Sequence, residues 1–354
     1  MRPSIFIRLS PRVPVLRCCI RLMAAAFAMS AVFGAPSAQA QSIKVRFAYV
    51  PVVGAAPLFV FANAGWAAEA GLDIVPVRFE SGPPAIAGLA SGTIDALAIG
   101  IGPIAVARAR NLDVSIISAV SNGGSGFVAS PELADFLAPG ADVAKGFADF
   151  RVKTGRPARL ATLPPGGVPT ITLYHWLFVL NHVAREHVQI SAMGIDAVQQ
   201  AVLSGAVDGG TVLEPALTIV LMRNPKLKMI ATANEMFEAI PGVVIGISGA
   251  FARAHPGVSD ILVKLTRRAT DFIAQKPDVA ASYVQTIFGG GLVDPAILAR
   301  ALTSKAISFA PDPHAIEEPT RRMLAYQVQL GDFAQAPSTL GLFDMTSYDR
   351  VAAQ

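Results

Sequence analysis

Cysteine is almost missing from this 354-residue chain: Cys18 and Cys19 stand side by side near the start and none follows. Beyond them no disulfide framework, thiol nucleophile or thiolate metal site can be built. The five histidines do not assemble into a site either. His182 and His187 are five apart, which is not a one-face helical spacing. His175 lies beside Trp176 in an apolar run, His255 precedes Pro256, and His314 stands near Glu317 and Glu318. No G-x-S-x-G, H-E-x-x-H, P-loop or dinucleotide fingerprint occurs, so common hydrolases and nucleotide enzymes gain no support. No catalytic residue, metal or cofactor is expected.

Acid is absent from residues 1–40, which carry Arg2, Arg8, Arg12, Arg17 and Arg21, an apolar run over 22–33, and Ala38-Gln39-Ala40. That order reads as a secretory signal cut after Ala40, and its apolar run is too short to span a bilayer. Without those five arginines the remaining chain has 24 basic against 25 acidic residues, so the formal +4 falls to −1. Nucleic acid and an anionic membrane surface are thereby discounted as partners, since both need a basic footprint.

What is present is an echo. Residues 87–111, AGLASGTIDALAIGIGPIAVARARN, return at an offset of 113 as residues 200–224, QAVLSGAVDGGTVLEPALTIVLMRN. Asp95 falls on Asp208 and Arg110-Asn111 on Arg223-Asn224 without a gap. Two related halves explain this better than a solenoid, which repeats more often. Roughly 314 residues also exceed what one core usually holds.

Short β-branched runs alternate with helical ones in both halves, predicting α/β lobes with mostly parallel sheets and right-handed crossovers. After residues 241–248 the pattern turns helical, a tail without strands of its own that must cover a surface. The expected organisation is a lobe made of 41–124 and 243–354 around a second lobe, 125–242, with crossings near 121–126 and 241–244. Asp95 and Asp208, each after a helix-stopping Ser-Gly, enter strands at their amino ends and read as structural.

The strand carboxyl ends carry the candidate binding residues. They are Gly54, Ala55 and Ala56; Ser81 and Gly82; Gly100 and Gly102; Asn122; Pro165 and Gly166; and Glu214. Small residues before a helix let a ligand reach backbone N–H groups at the positive end of the dipole. Ser81 and Asn122 are equally readable as ligand contacts or helix caps. Glu214 could accept from an amine, amide or hydroxyl of a ligand, or complement a helix end.

The stretches 45–111 (VRFAYVPVVGAAPLFVFANAG onward) and 201–217 (AVLSGAVDGGTVLEPAL) resemble the periplasmic solute-binding proteins of ABC importers for nitrate, sulfonate, taurine and related solutes, including pyrimidine precursors. The resemblance implies a type II periplasmic-binding-protein fold, two α/β lobes closing by a hinge on a small-molecule solute. It also implies a monomer in the periplasm serving an ABC permease and ATPase. By position it places first-loop contacts at Gly54 to Ala56, a serine-glycine loop at Ser81-Gly82, and an acidic residue at Glu214. Leu213 stands where many relatives have an aromatic, and AIGIGP is leaner than the usual polar loop, which suggests a solute with an apolar body. An enzyme of cofactor biosynthesis on the same fold and a ligand-sensing subunit stay open as alternatives.

Overall fold

A computed structural model describes residues 42–354; the signal segment read over 1–40, with both cysteines, lies outside the described residues. The first sheet contains β1 (Ile43–Tyr49), β2 (Leu72–Arg78), β3 (Ala96–Gly100), β4 (Val114–Ala119) and β11 (Val243–Ser248), in the order β2-β1-β3-β11-β4. Helices α1 (Ala56–Asn63), α2 (Gly82–Ala90) and α3 (Ile101–Ala109) make its crossovers. Gly65, at φ +81°, breaks the first helical run before the short helix Trp66–Glu69.

The second sheet contains β6 (Ser125–Ala129), β7 (Ala158–Thr162), β8 (Val188–Ala192), β9 (Gly209–Leu213) and β10 (Lys228–Thr232). Its order is β10-β6-β9-β7-β8, in which β7, β8, β9 and β10 take the places of β1, β2, β3 and β4 under the 113-residue shift and β6 takes that of β11. Its helices are α4 (Val143–Thr154), α5 (Val168–Tyr174), which runs on as a π-helix over His175–Leu180, α6 (Ile195–Ser204) and α7 (Ala216–Arg223). In each sheet one strand runs antiparallel, and it is the strand that has just crossed from the other half, β11 or β6.

The repeated aspartates explain why the echo survives. Asp95 accepts from the backbone N–H of Arg46 at 2.8 Å and from its guanidinium, while its own N–H donates to the Arg46 carbonyl at 2.9 Å. Asp208 accepts from the Arg159 N–H at 2.8 Å and from the Arg156 guanidinium, and donates to the Arg159 carbonyl at 2.7 Å. Arg46 and Arg159 are themselves 113 apart, so each half ties its first strand to its third by the same buried clamp.

From β4 the chain runs straight through β5 (Ser121–Gly123) into β6, and it returns at Pro241-Gly242 beside that path. The Gly242 N–H donates to the Ser121 carbonyl at 2.9 Å, and the Gly123 N–H to the Ile240 carbonyl at 3.0 Å. Gly123 has φ +70°, and a Cβ there would stand 2.7 Å from the Ala306 carbonyl oxygen, so only glycine fits.

The tail is α8 (Val258–Gln275), α9 (Pro277–Val284), α10 (Pro295–Leu302), α11 (Glu317–Gln329) and α12 (Thr346–Ala352). Val258, Leu262 and Leu298 share one core with Val45, Phe47 and Leu58 of the first sheet's side. The expectation that the tail has no strand fails. β12 (Ile307–Phe309) pairs antiparallel with β5 and flanks the crossing. Three residues are too short to show a period of two, and a strand this short is stabilised by its partner. Among the described residues no helix is long and apolar enough to cross a membrane.

Burial alone would raise the Asp208 pKa, but the hydrogen bonds from Arg156 and Arg159 outweigh it and leave the pKa lowered from 3.8. The clamp's stability is therefore fully present above that value and lost as the pH falls below it. Asp208→Asn should cost about 2 kcal/mol at pH 7 by urea unfolding, and its difference from wild type should shrink below the ordinary aspartate range.

Candidate functional site

The carboxyl ends of six parallel strands meet one cavity of about 900 Å³. Val50 follows β1, Ser81 closes the turn after β2, Gly100 ends β3, Leu163 follows β7, Gly194 precedes α6 after β8, and Leu213 ends β9; all six line it. Strands entering from two sheets thus present their carboxyl edges to a shared hollow, the usual place for a ligand in open α/β sheets. The two sides approach closely: a Cβ on Gly102 would lie 3.6 Å from the Gly166 carbonyl oxygen.

The lining is mostly apolar, with Ser81, Ser121 and Gln327 as polar side chains and Glu80, Arg110 and Asp332 as charged ones. Its electrostatics come from the backbone. Helices α2, α3 and α6 begin at the cavity wall after Ser81, Gly100 and Gly194, and none of the three has a side-chain cap. Helices α8, α9 and α12, which start elsewhere, also lack a side-chain cap, so it is the meeting of these three starts on one hollow that sets them apart. Gly82 in α2, where Pro83 and Pro84 carry no N–H, and Ile101 and Gly102 in α3, where Pro103 carries none, still offer donors that need acceptors from outside, and the dipole favours an anion there. Ser81 is extended and makes no cap bond, so its hydroxyl remains available to the cavity.

Of the residues read from the sequence, Gly54, Ser81, Gly82, Gly100, Gly102, Pro165 and Gly166 line the cavity together. Gly82 is required by the packing of α2 on α3, because a Cβ would come within 2.4 Å of Pro103 Cγ. Ala55 and Ala56 do not line it; both are buried in the core behind Gly54. Asn122 lies between the lining residues Ser121 and Gly123 but is not itself on the wall, and it caps no helix because it sits in β5.

Glu214 is also behind the wall. It is 2% exposed, its Oε2 accepts from the Thr218 N–H at 3.1 Å, and Oε1 has no hydrogen-bond partner among the described residues. Its main chain joins the halves: the Glu214 N–H donates to the Gly124 carbonyl at 3.0 Å, and its carbonyl accepts from the Val53 N–H at 3.4 Å. The carboxylate therefore completes a helix start, and the backbone positions the loop that carries Gly54.

Lining residues that the sequence reading missed include Ile86, Val106, Met323, Gln327 and Phe333. The first two recur at helical spacing with Gly82 and Gly102, a signal present in the sequence. The last three come from the tail, and only tertiary packing brings them here. Among the described residues no group of three or more His, Cys, Asp or Glu could hold a metal ion.

Burial pushes the Glu214 carboxyl above its ordinary pKa of 4.5, and Ser304 and Thr218, which favour the charged form, offset this only in part. A raised folded-state pKa gives stability that is full below 4.5 and declines as the pH rises. Unfolding of wild type and Glu214→Gln between pH 4 and pH 8 should show the variant gaining on wild type with pH, by about 1.4 kcal/mol for each tenfold weakening of the buried acid.

Comparison with known proteins follows the same outline. The chain is 27% identical over 241 residues to the bicarbonate transport ATP-binding protein CmpC of Synechocystis sp., covering 66% of this chain and 36% of that protein's length. In structure it resembles the periplasmic nitrate-binding protein NrtA from Synechocystis PCC 6803, with TM-score 0.73 and 14% identity over 88% of this chain and 89% of that one. It also resembles the periplasmic aliphatic sulphonate binding protein SsuA from Escherichia coli, with TM-score 0.64 and 14% identity over 85% and 96%. Such identities speak to the fold, which is the two-lobed type II periplasmic-binding-protein fold. The NMT1-like family profile matches residues 38–288, well over half of the sequence, and the chain belongs to that family.

Proposed function

We propose that this protein is the exported solute-binding component of an ABC-type importer, capturing a small organic anion between two lobes. The observation that carries the reading is the convergence of three uncapped helix starts, α2 and α3 from one sheet and α6 from the other, on one hollow. An anionic head bound there accepts from main-chain donors on both sides and needs no lysine or arginine. The solutes named for its structural relatives, nitrate and aliphatic sulphonates, are of that charge.

Residues 41–124 with 243–354 form one lobe in this reading and 125–242 the other, turning about the paired crossings at Ser121–Gly123 and Pro241-Gly242. A ligand that touches both lobes favours the closed form only through contacts absent from the open one. Gly54, Ser81, Gly82, Gly100 and Gly102 serve one side, and Pro165 and Gly166 the other. The closed form is what a membrane permease and its ATPase recognise, the protein acting as a periplasmic monomer without catalysis of its own.

A melting-temperature screen across sulfonates, carboxylates, nitrate and bicarbonate, beside amines and neutral pyrimidines, tests this. A cognate anion at about a hundredfold its Kd should stabilise the protein by about 2.7 kcal/mol. Stabilisation by the amines alone would overturn the anionic assignment, and chemical turnover of a bound solute would overturn the binding role.

A further inference from the structure

The cavity does not stop at the cleft. Its lining runs down one face of α2 through Ile86 and Ala90, and down one face of α3 through Val106 and Arg110. With Gly82 and Gly102 at the cleft end, these positions recur every four residues on each helix, the spacing of a single helical stripe. The groove between the stripes therefore follows both helices from their first turn to their last, about 12 Å for nine residues. Helix α11 covers its far end with Met323 and Gln327, both buried, and Phe333 follows.

Gln327 gives that end its chemistry. It is 1% exposed, and its Nε2 donates to Asp332 Oδ2 at 3.3 Å. A carboxylate accepts only, so this contact fixes the amide orientation and leaves Oε1 as the acceptor. Oε1 is buried with no hydrogen-bond partner among the described residues. A buried acceptor left unsatisfied is costly, and one on a cavity wall is answered by a donor on whatever fills the cavity.

We infer that the solute is elongated: an anionic head at the cleft, an apolar chain along the groove between α2 and α3, and a terminal N–H or O–H donor meeting Gln327 under α11. This rests on the solute-capture reading above and narrows it, because a compact oxyanion would fill only the cleft end. The groove is continuous with that cleft and lined by small and apolar side chains as far as Arg110 at its far end, so the occupant it fits is the ligand's own tail.

Calorimetry with two short series decides it: methanesulfonate, octanesulfonate and its ω-hydroxy derivative, and acetate, octanoate and ω-hydroxyoctanoate. In the matching series the ω-hydroxy chain should bind at least about tenfold tighter than the one-carbon or two-carbon member, as burial of two or more methylenes requires. Val106→Trp, and separately Ala90→Phe at an exposed position, should each remove that long-over-short ratio, with melting curves confirming that the variants fold. Gln327→Leu should abolish the preference for hydroxyl over methyl. Short members binding as tightly as long ones, or a ratio that survives both groove-filling variants, overturns the elongated ligand and leaves solute capture standing. Absence of binding by every member of both series overturns this inference, and failure of nitrate and bicarbonate as well overturns the anion-capture reading with it.

Discussion

A carboxylate buried at the amino end of the third strand, bonded to the backbone and guanidinium groups of the first strand's side, sets the geometry of each half. Asp95 with Arg46, and Asp208 with Arg159 and Arg156, close the amino ends of the two sheets with charge-assisted hydrogen bonds. Held in register there, parallel strands must all deliver their chains to the opposite edge, where six turns open onto one hollow. Strong polar contacts at one edge thus leave the other free to be small, apolar and backbone-lined, which is what a ligand site made of main-chain donors requires.

The halves are joined through backbone. β5, β12 and the return at Pro241-Gly242 form narrow antiparallel pairings between large sheets, and the Glu214 main chain bonds to Gly124 and Val53 at the same place. Side chains join them too: Ile171, Phe237 and Ile240 share one buried apolar cluster with Leu97, Ile99 and Ile104 of the first sheet's side. The buried Glu214 carboxyl sits at this junction, where its desolvation disfavours charge. It belongs to the support behind the Gly54 loop, and the polar work of the cavity is left to uncapped helix starts and Gln327.

Much of this was legible in residue order. The 113-residue echo pointed to two related halves, and the Ser-Gly-x-x-Asp words marked where helices stop and third strands begin. The glycine-rich and proline-rich turns at strand carboxyl ends named seven lining residues. Glu214 was misleading because position after a strand does not say which way a side chain points. Its neighbour Leu213 reaches the wall, and Glu214 turns under it. β12 was hidden because its three residues carry no period. Gln327 was hidden because its place on α11 matters only once α11 lies across the groove.

The order of residues by itself determined the paired α/β halves, the polarity of their strands and the small-residue character of the turns, since these depend on local spacing and backbone conformation. Tertiary structure alone decided which turns face one another, that the C-terminal tail roofs the groove between α2 and α3, and that Gln327 keeps a buried acceptor with no partner among the described residues. Those outcomes depend on how two sheets and a tail pack across long sequence separations, and no local pattern encodes that packing.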